Sequence, residues 1–153
     1  MLECCAKLHG YKVKLLSTHL RERHEKLLET LERLARDSSF GLPIVVEGKK
    51  DVEALRSLGV QGRILTAKTG GKSRLELISE IERLQPTEVI LLLDFDRRGK
   101  EWTAVLRQNL EKCKVKVNVS FRNELLRLSG RELKDVESLV SYLENLSRKL
   151  GVA

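Results

Sequence analysis

The chain has 153 residues, of which 41% are hydrophobic and 33% are charged, and its formal net charge is +7 at pH 7. This length and composition are typical of one soluble globular domain with a substantial core, so no second domain is needed. No apolar run approaches the ~20 residues of a membrane span. The first ten residues also lack the basic region and apolar core of a secretion signal.

The cysteine pattern indicates the redox environment of the protein, and the net charge indicates its type of partner. Cys4, Cys5 and Cys113 form no CxxC pair and are odd in number, so neither a zinc ribbon nor a disulfide framework is indicated. We therefore expect a reducing cytoplasm. The positive net charge favours a polyanionic partner, and nucleic acid is the first choice.

The N-terminal 41 residues predict an extension followed by one helix. Residues 1–16 show no clear apolar periodicity, and we expect them to be loosely attached. A helix is predicted to begin at Ser17 or Thr18, either of which can cap it. Its charges roughly cancel, which favours a helix that covers the domain over a helix that binds a partner. The residues of its apolar face are Leu20, Leu27, Leu28, Leu31, Leu34 and Ala35.

Strands and helices are then predicted to alternate. Strands are predicted over residues 44–46, 63–66, 89–93 and 115–119, and helices over residues 52–58, 73–85 and 99–112. The side chains expected to face inward from the second and third of these helices are Leu75, Ile78, Ile81, Leu84, Trp102, Val105, Leu106 and Leu110. In residues 123–153 we predict a helical tail of the same domain, broken at Gly130, with a last helix capped by Asp135. This order predicts an α/β fold, Rossmann-like, with a parallel four-stranded sheet of order about 2-1-3-4, helices on both faces and helices at both termini.

In residues 89–100, a predicted buried strand is followed directly by two aspartates. Five apolar residues precede Asp94 and Asp96, and Phe95 separates the two acids. In extended geometry both carboxylates point to one side, at the strand end where open α/β sheets bind ligands. Two such hard oxygen donors suit Mg²⁺. The alternative is that one aspartate only caps the helix that follows.

A third acid follows the first strand of the sheet. Glu47 lies at that strand's end, next to the strand of Asp94 in the expected order, so the acids should converge. Asp51 is expected to cap or open the next helix, and Lys49 and Lys50 to project from the turn. Acids alone would repel one another, so a divalent metal and a phosphodiester substrate explain the cluster and its basic neighbours best. These basic residues are Lys49, Lys50, Arg97, Arg98 and Lys100.

A glycine pair after the second strand offers one more phosphate contact. Gly70 and Gly71 are flanked by Lys68 and Lys72, and their backbone amides could approach a phosphate. The spacing is not that of a P-loop, and a simple turn is the alternative.

The two acidic turns resemble the motifs of a known family. Glu47-Gly48-Lys49-Lys50-Asp51 resembles the EGxxD motif, and residues 94–99, DFDRRG, resemble the DxDxxG motif, of the Toprim domain. This domain is shared by topoisomerases, bacterial-type primases, overcoming-lysogenization-type nucleases, recombination mediators and a ribosomal-RNA maturation nuclease. The resemblance covers about residues 42–122, which we take as the Toprim domain. The overall layout is most similar to the small stand-alone Toprim proteins of archaea and some bacteria.

The resemblance implies roles for the three acids. Glu47 would be the general acid or base or a metal contact, and Asp94 and Asp96 would hold Mg²⁺. Tyr11 and Tyr142 lack the separate domain that a topoisomerase needs around its nucleophile, and a primase would need a zinc module. Hydrolysis of nucleic-acid phosphodiesters by a Mg²⁺-activated water, with RNA favoured over DNA, is then the simplest activity.

Two other interpretations stay open. The first is a non-catalytic Toprim module that binds nucleic acid or a ribonucleoprotein partner through the same basic residues, which include Lys72. The second is a receiver-like or phosphohydrolase domain, which would leave the turn at Glu47 unexplained.

Overall fold

A computed structural model describes the backbone of residues 2–130 and 132–151 and the side chains of residues 18–68, 70–130 and 132–151. Strands and helices alternate in the predicted order. The elements are α1 (Leu2–Ser39), β1 (Ile44–Val46), α2 (Lys49–Ser57), β2 (Ile64–Thr66), α3 (Arg74–Arg83), β3 (Val89–Leu91), α4 (Arg97–Lys112), β4 (Val117–Asn118), α5 (Ser120–Ser129) and α6 (Leu139–Leu150), with a short 3-10 turn at Thr69–Gly71 between β2 and α3.

The four strands form one parallel sheet of order β2-β1-β3-β4, which confirms the predicted fold class. Val45 of β1 is in register with Leu65 of β2 on one side and with Leu91 of β3 on the other. Because the strands are parallel, the residues that follow β1, β2 and β3 leave the sheet at the same edge.

The sheet has a hydrophobic core on each face, as expected for strands covered on both sides. Ile44, Val46, Ile90 and Leu92 point to one face and pack with residues of α1, α2, α5 and α6. Val45, Val89, Leu91 and Leu93 point to the other face and pack with residues of α3 and α4. The alternation continues through Leu92 and Leu93, so the chain stays extended up to Asp94.

The prediction that the first helix begins at Ser17 or Thr18 is wrong, because α1 begins at Leu2. The absence of apolar periodicity misled the prediction. Lysine and leucine are good helix formers, and extending an existing helix by one residue is far easier than starting a new one. The expectation that residues 1–16 are loosely attached concerns side chains outside the described residues.

Two side chains predicted to face inward from α3 and α4 are exposed, and so is Leu28 of the predicted apolar face of α1, at 41%. Leu75 is 76% exposed, and Val105 is 36% exposed. In α3 the inward face is set by Leu77, Ile78 and Ile81, which turns Leu75 to the opposite side of the helix. In α4, Leu106 and Leu110 point to the core, and Val105 lies beside them on the flank.

The C-terminal part is helical, as predicted, and its last helix packs apolar residues against the core. Val136 and Leu139 are fully buried, and Leu143 is nearly so. Asp135 Oδ1 accepts a hydrogen bond of 2.7 Å from the N–H of Ser138, just before α6 begins. Within the described part of the chain, no helix is both long enough and apolar enough to cross a membrane.

Candidate metal and phosphate site

Glu47 and Asp94 meet where β1 and β3 end. Glu47 is only 7% exposed, and its Oε1 accepts a hydrogen bond from the backbone N–H of Asp94 at 3.4 Å. Its Oε2 accepts a hydrogen bond of 2.7 Å from Nζ of Lys68, which follows β2. The backbone N–H of Lys68 also donates to the carbonyl of Glu47, at 3.0 Å. Three neighbouring strands thus deliver two acids and one cation to one place.

The two carboxyl groups cannot both be ionised there without a cost. Burial, and then a hydrogen bond with Glu47 and its negative charge, raise the pKa of Asp94 to about 8, and the charges of Asp51 and Asp135 act in the same direction. A carboxylate pair of this kind needs a shared proton or a bound cation. The geometry therefore favours a positively charged ligand between the ends of β1 and β3.

Asp96 has a structural role at the start of α4. Its Oδ1 accepts a hydrogen bond of 2.7 Å from the N–H of Gly99, so it is the N-cap of α4. The alternative that an aspartate after the strand caps the next helix is thus correct for Asp96. Gly99 is required by close packing, because a Cβ there would lie 1.9 Å from the carbonyl oxygen of Asp94.

Arg122, on α5, supports the strand end from beneath. This buried side chain donates hydrogen bonds to the carbonyls of Asp94 (2.6 Å) and Leu93 (3.3 Å). Its guanidinium lies over the ring of Phe95, 5.7 Å from the centroid. Burial lowers the pKa of Arg122, although the charges of Asp96, Asp94 and Glu47 oppose the change. An arginine stays protonated in such a setting, so it adds positive charge below the acids.

The segment before α6 ties both acidic turns together. The N–H of Phe95 donates to the carbonyl of Lys134 at 2.7 Å, and the N–H of Glu137 donates to Oδ1 of Asp51 at 2.9 Å. Asp51 Oδ2 accepts from the N–H of Gly48 at 3.1 Å, at the start of α2. The helix begins at Lys49 and its N-cap is Gly48, two residues earlier than an opening at Asp51 would place it; Asp51 instead lies in the first turn and completes a capping box with Gly48. Its burial raises the pKa of its carboxyl group.

A cleft of about 590 Å³ opens above the acids, between α3 and α4. It contains acidic, basic and apolar side chains. They are Glu47, Lys68, Arg74, Asp94, Asp96, Arg98, Glu101, Trp102 and Val105. A neighbouring cavity of about 300 Å³ shares Glu47, Lys68 and Asp94 with the cleft and is also lined by Lys49 and Lys50. Both lysines lie in the first turn of α2, not in the preceding turn as predicted.

The structure does not bring all the predicted basic residues to the cleft. Arg98 lines it, whereas Arg97 is exposed and pairs with Glu101 at 3.2 Å. Lys100 lines a separate groove between α4 and α5. Nζ of Lys72 lies 2.5 Å from Glu80 and 3.2 Å from the carbonyl of Thr66.

Sequence reasoning missed several residues around the acids. Lys68 was noted only beside the glycine pair, although it follows a strand end just as Glu47 does, and that rule would have found it. Trp102 lies four residues after Arg98 on the same side of α4, so helical spacing was an available signal. Arg122 gave no local signal, because it reaches the site from an element 28 residues away.

The carboxylates of the site meet some, but not all, of the requirements for binding a hard divalent cation. Glu47 and Asp94 supply the one or two carboxylates that Mg²⁺ uses, and the open cleft leaves room for water and phosphate oxygens. Among the described residues, however, no group of three or more His, Cys, Asp or Glu side chains is arranged to hold a metal. Asp96 is engaged as a helix cap, and Lys68 already pairs with Glu47.

A parallel sheet that carries a glutamate after its first strand and a DxD pair after its third defines the Toprim class of α/β domains. The model of the Toprim domain matches residues 41–121, and the chain belongs to this family. Toprim domains typically bind metal ions and are associated with nucleic acids.

Small archaeal proteins resemble nearly the whole chain. It is 42% identical to a UPF0292 protein of Methanocaldococcus jannaschii over 80% of this chain and 93% of that protein. It is 37% identical to a UPF0292 protein of Methanosarcina barkeri over 86% of this chain and 90% of that protein. A solved structure of a protein from Aquifex aeolicus superposes with a TM-score of 0.62 at 25% identity and covers 72% of this chain and 95% of that one. These findings confirm the resemblance to small stand-alone Toprim proteins.

Proposed function

We propose that this protein is a Mg²⁺-dependent Toprim enzyme that hydrolyses phosphodiester bonds in nucleic acid, with RNA favoured over DNA, in the cytoplasm. The observation that supports it most is the contact between Glu47 and Asp94 in a cleft that is also lined by Arg74 and Arg98. Paired acids attract a cation, and adjacent basic residues attract phosphate. A phosphodiester with a bound metal ion supplies both the cation for the acids and the phosphate for the basic residues.

Different residues of the site would bind the metal ion and the phosphates. Glu47 and Asp94 would hold Mg²⁺, with Asp96 added if its cap to Gly99 loosens; the ion, when bound, would activate a water and neutralise phosphate charge. Arg98 and Arg74 would bind the phosphate from the two walls of the cleft. Lys49 and Lys50, in the neighbouring cavity, would bind the next phosphates along the strand.

Glu47 would also move a proton. It is the most buried of the three acids and sits at the floor of the cleft, with one oxygen toward Asp94 and the other toward Lys68. A carboxylate in this position can take a proton from a water or return one to a leaving oxygen. Arg122 would act as a positioning residue through the carbonyl of Asp94.

A cleavage assay with a mixture of structured RNAs and DNAs tests the proposal. We expect cleavage with Mg²⁺, none with a chelator, and a rate about 10²- to 10⁴-fold lower for Glu47→Gln, which is the usual range for positioned proton transfer. Glu53→Gln is the matched control, because Glu53 is exposed on α2. If Glu47→Gln cleaves as fast as wild type, the activity belongs to another site or to a contaminant.

A specific observation favours a second candidate, a non-catalytic module that binds nucleic acid or a ribonucleoprotein. Lys68 neutralises Glu47 through a 2.7 Å contact, and the described acids do not form a ready three-ligand metal site. In that case wild type and Glu47→Gln would bind RNA or DNA equally, and neither would cleave.

A further inference from the structure

The side of α4 that lines the cleft changes from charged to mainly apolar along the helix. Arg98, Glu101, Trp102 and Val105 recur at spacings of three and four residues and all line the cleft, so they share one side of the helix. Arg98 lies in the first turn, next to the acids, whereas Trp102 and Val105 lie one and two turns further on. One end of the cleft therefore holds Arg98 and the acids, and the part beyond it holds the apolar surfaces of Trp102 and Val105. Glu101 lies beside them, and its charge is paired with that of Arg97 at 3.2 Å.

Trp102 presents a ring face to this cleft. The half-buried indole packs against the core formed by α3, α4 and the sheet. Nζ of Lys68 lies over the ring, 5.2 Å from its centroid, while the same ammonium contacts Glu47. The Lys68 side chain is 52% exposed, so this face of the ring is covered by the tip of a flexible side chain that can move away.

A nucleotide matches the gradient along α4. Its phosphate would lie near Arg98 and the acids, and its base would reach the apolar wall of Trp102 and Val105. We propose that Trp102 is the stacking platform for an unpaired nucleobase, so that the cleft takes a single-stranded or otherwise unpaired nucleotide. This inference rests on the proposed function, which places the phosphate.

The size of the cleft and the need for a free base face both favour an unpaired base as the ligand. A cleft of about 590 Å³ has the size of a small-molecule pocket, which holds nucleotides but not a double helix. In a duplex both faces of a base are covered by its neighbours, so only an unpaired or extruded base can stack on a protein ring. Lys68 would leave the ring for the phosphate of the same nucleotide.

The fluorescence of Trp102 reports directly on this contact, because the chain contains one tryptophan. The metal-free wild-type protein is titrated with a single-stranded RNA pentanucleotide, with the same sequence in a blunt-ended duplex, and with adenosine monophosphate. We expect strong quenching by the single strand and by the mononucleotide, and little by the duplex. Equal quenching by duplex and single strand at equal affinity would overturn the inference.

Substitutions then separate stacking from charge. In Trp102→Leu we expect the affinity for a labelled single strand, measured by anisotropy, to fall on the order of ten-fold or more, since stacking on an aromatic ring is lost. Trp102→Phe keeps a ring and should recover most of the affinity. Phe40→Leu is the matched control, because Phe40 is 80% exposed and precedes β1, at the opposite edge of the sheet. Far-ultraviolet circular dichroism checks that each variant folds.

The outcomes distinguish this inference from the proposed function. Undiminished single-strand binding by folded Trp102→Leu would refute the stacking platform, even if Mg²⁺-dependent cleavage is present. Quenching and loss of affinity without cleavage would support the platform and refute the enzyme. Tighter binding of the pentanucleotide than of adenosine monophosphate would assign the cleft to a strand, and equal affinity would assign it to a free nucleotide; both results support a base on Trp102.

Discussion

The guanidinium of Arg122 donates a 2.6 Å hydrogen bond to the backbone carbonyl of Asp94, so α5 holds the chain after β3 at the point where the proposed metal-binding acids begin. The second bond, to Leu93, fixes the same peptide segment. We expect Arg122→Met to lower the free energy of unfolding by about 1–3 kcal/mol, because it leaves buried carbonyls without a donor. Urea unfolding measures this loss.

The Arg122→Met variant also tests whether Arg122 positions Asp94 for Mg²⁺ binding. If Arg122 orients Asp94, Arg122→Met should weaken Mg²⁺ binding measured by calorimetry, and Arg122→Lys should recover only part of it, because an ammonium does not reproduce the planar fork of donors. Arg107→Met is the control. Arg107 pairs with Glu111 on the exposed side of α4, and surface pairs of this kind contribute little. Unchanged Mg²⁺ affinity in Arg122→Met, or tighter binding because a nearby positive charge is lost, would limit Arg122 to stability.

Asp94 should make the metal-free protein less stable as the pH rises. Its pKa is about 8 in the folded protein against 3.8 ordinarily, so between these values the folded state holds a proton that the unfolded state has lost. By linkage, the stabilisation from this proton is present at low pH and is lost as the pH rises through about 8. Asp94→Asn, which needs no proton, should therefore be more stable than wild type at pH 8.5.

Urea unfolding in a chelator at pH 5, 7 and 8.5 checks this sign. The stability of wild type should fall across the series relative to that of Asp94→Asn, and Glu53→Gln should follow wild type. Asp94→Asn should at the same time lose Mg²⁺ binding. A stability that rises with pH in wild type, relative to the variant, would contradict the raised pKa of Asp94.

Much of the fold could be predicted because its signals are local. The apolar run before Asp94, the β-branched strand before Glu47 and the alternation of strands and helices required only sequence spacing, and the sheet order followed from general rules of parallel sheets. The convergence of Glu47 and Asp94 followed for the same reason. Leu75 shows the limit, because an apolar residue in a helix is buried only if the helix phase turns it inward.

The remainder of the site depends on contacts between distant elements. Arg122 and the segment at Lys134 reach Asp94 and Phe95 from the C-terminal helices, and no local pattern marks such contacts. The N-cap formed by Asp96 was foreseen only as the alternative to metal binding, since a cap and a metal ligand have the same position in sequence. Lys72 shows the converse, because its partner Glu80 became visible only in the folded chain.

The two motif glycines should respond differently to substitution. Gly99→Ala should destabilise the protein strongly, because its Cβ would lie 1.9 Å from the Asp94 carbonyl oxygen and α4 would have to move. A Cβ at Gly48 meets nothing within 4 Å, and the residue's φ of −143° is open to any amino acid. Thermal unfolding of both variants checks the contrast. Equal destabilisation would contradict the close packing at Gly99.

Arg98 and Lys72 should contribute differently to the salt dependence of nucleic-acid binding. Arg98 lines the cleft and is exposed, so it is available to a phosphate, whereas Lys72 is held by Glu80 and the carbonyl of Thr66. Each phosphate contact adds about 0.7 to 0.9 to the slope of log K against log salt. We expect Arg98→Met to reduce the slope by about this amount.

Lys72→Met should reduce the slope by much less, and it therefore serves as the matched loss of one positive charge. The measurement uses anisotropy of labelled single-stranded RNA in the Glu47→Gln background without Mg²⁺, so that the probe stays intact. An equal reduction in both variants would mean that general charge, and not the position of Arg98 in the cleft, sets the affinity. A slope unaffected by either substitution would place the phosphates elsewhere, and the neighbouring lysines Lys49 and Lys50 would be the next to test.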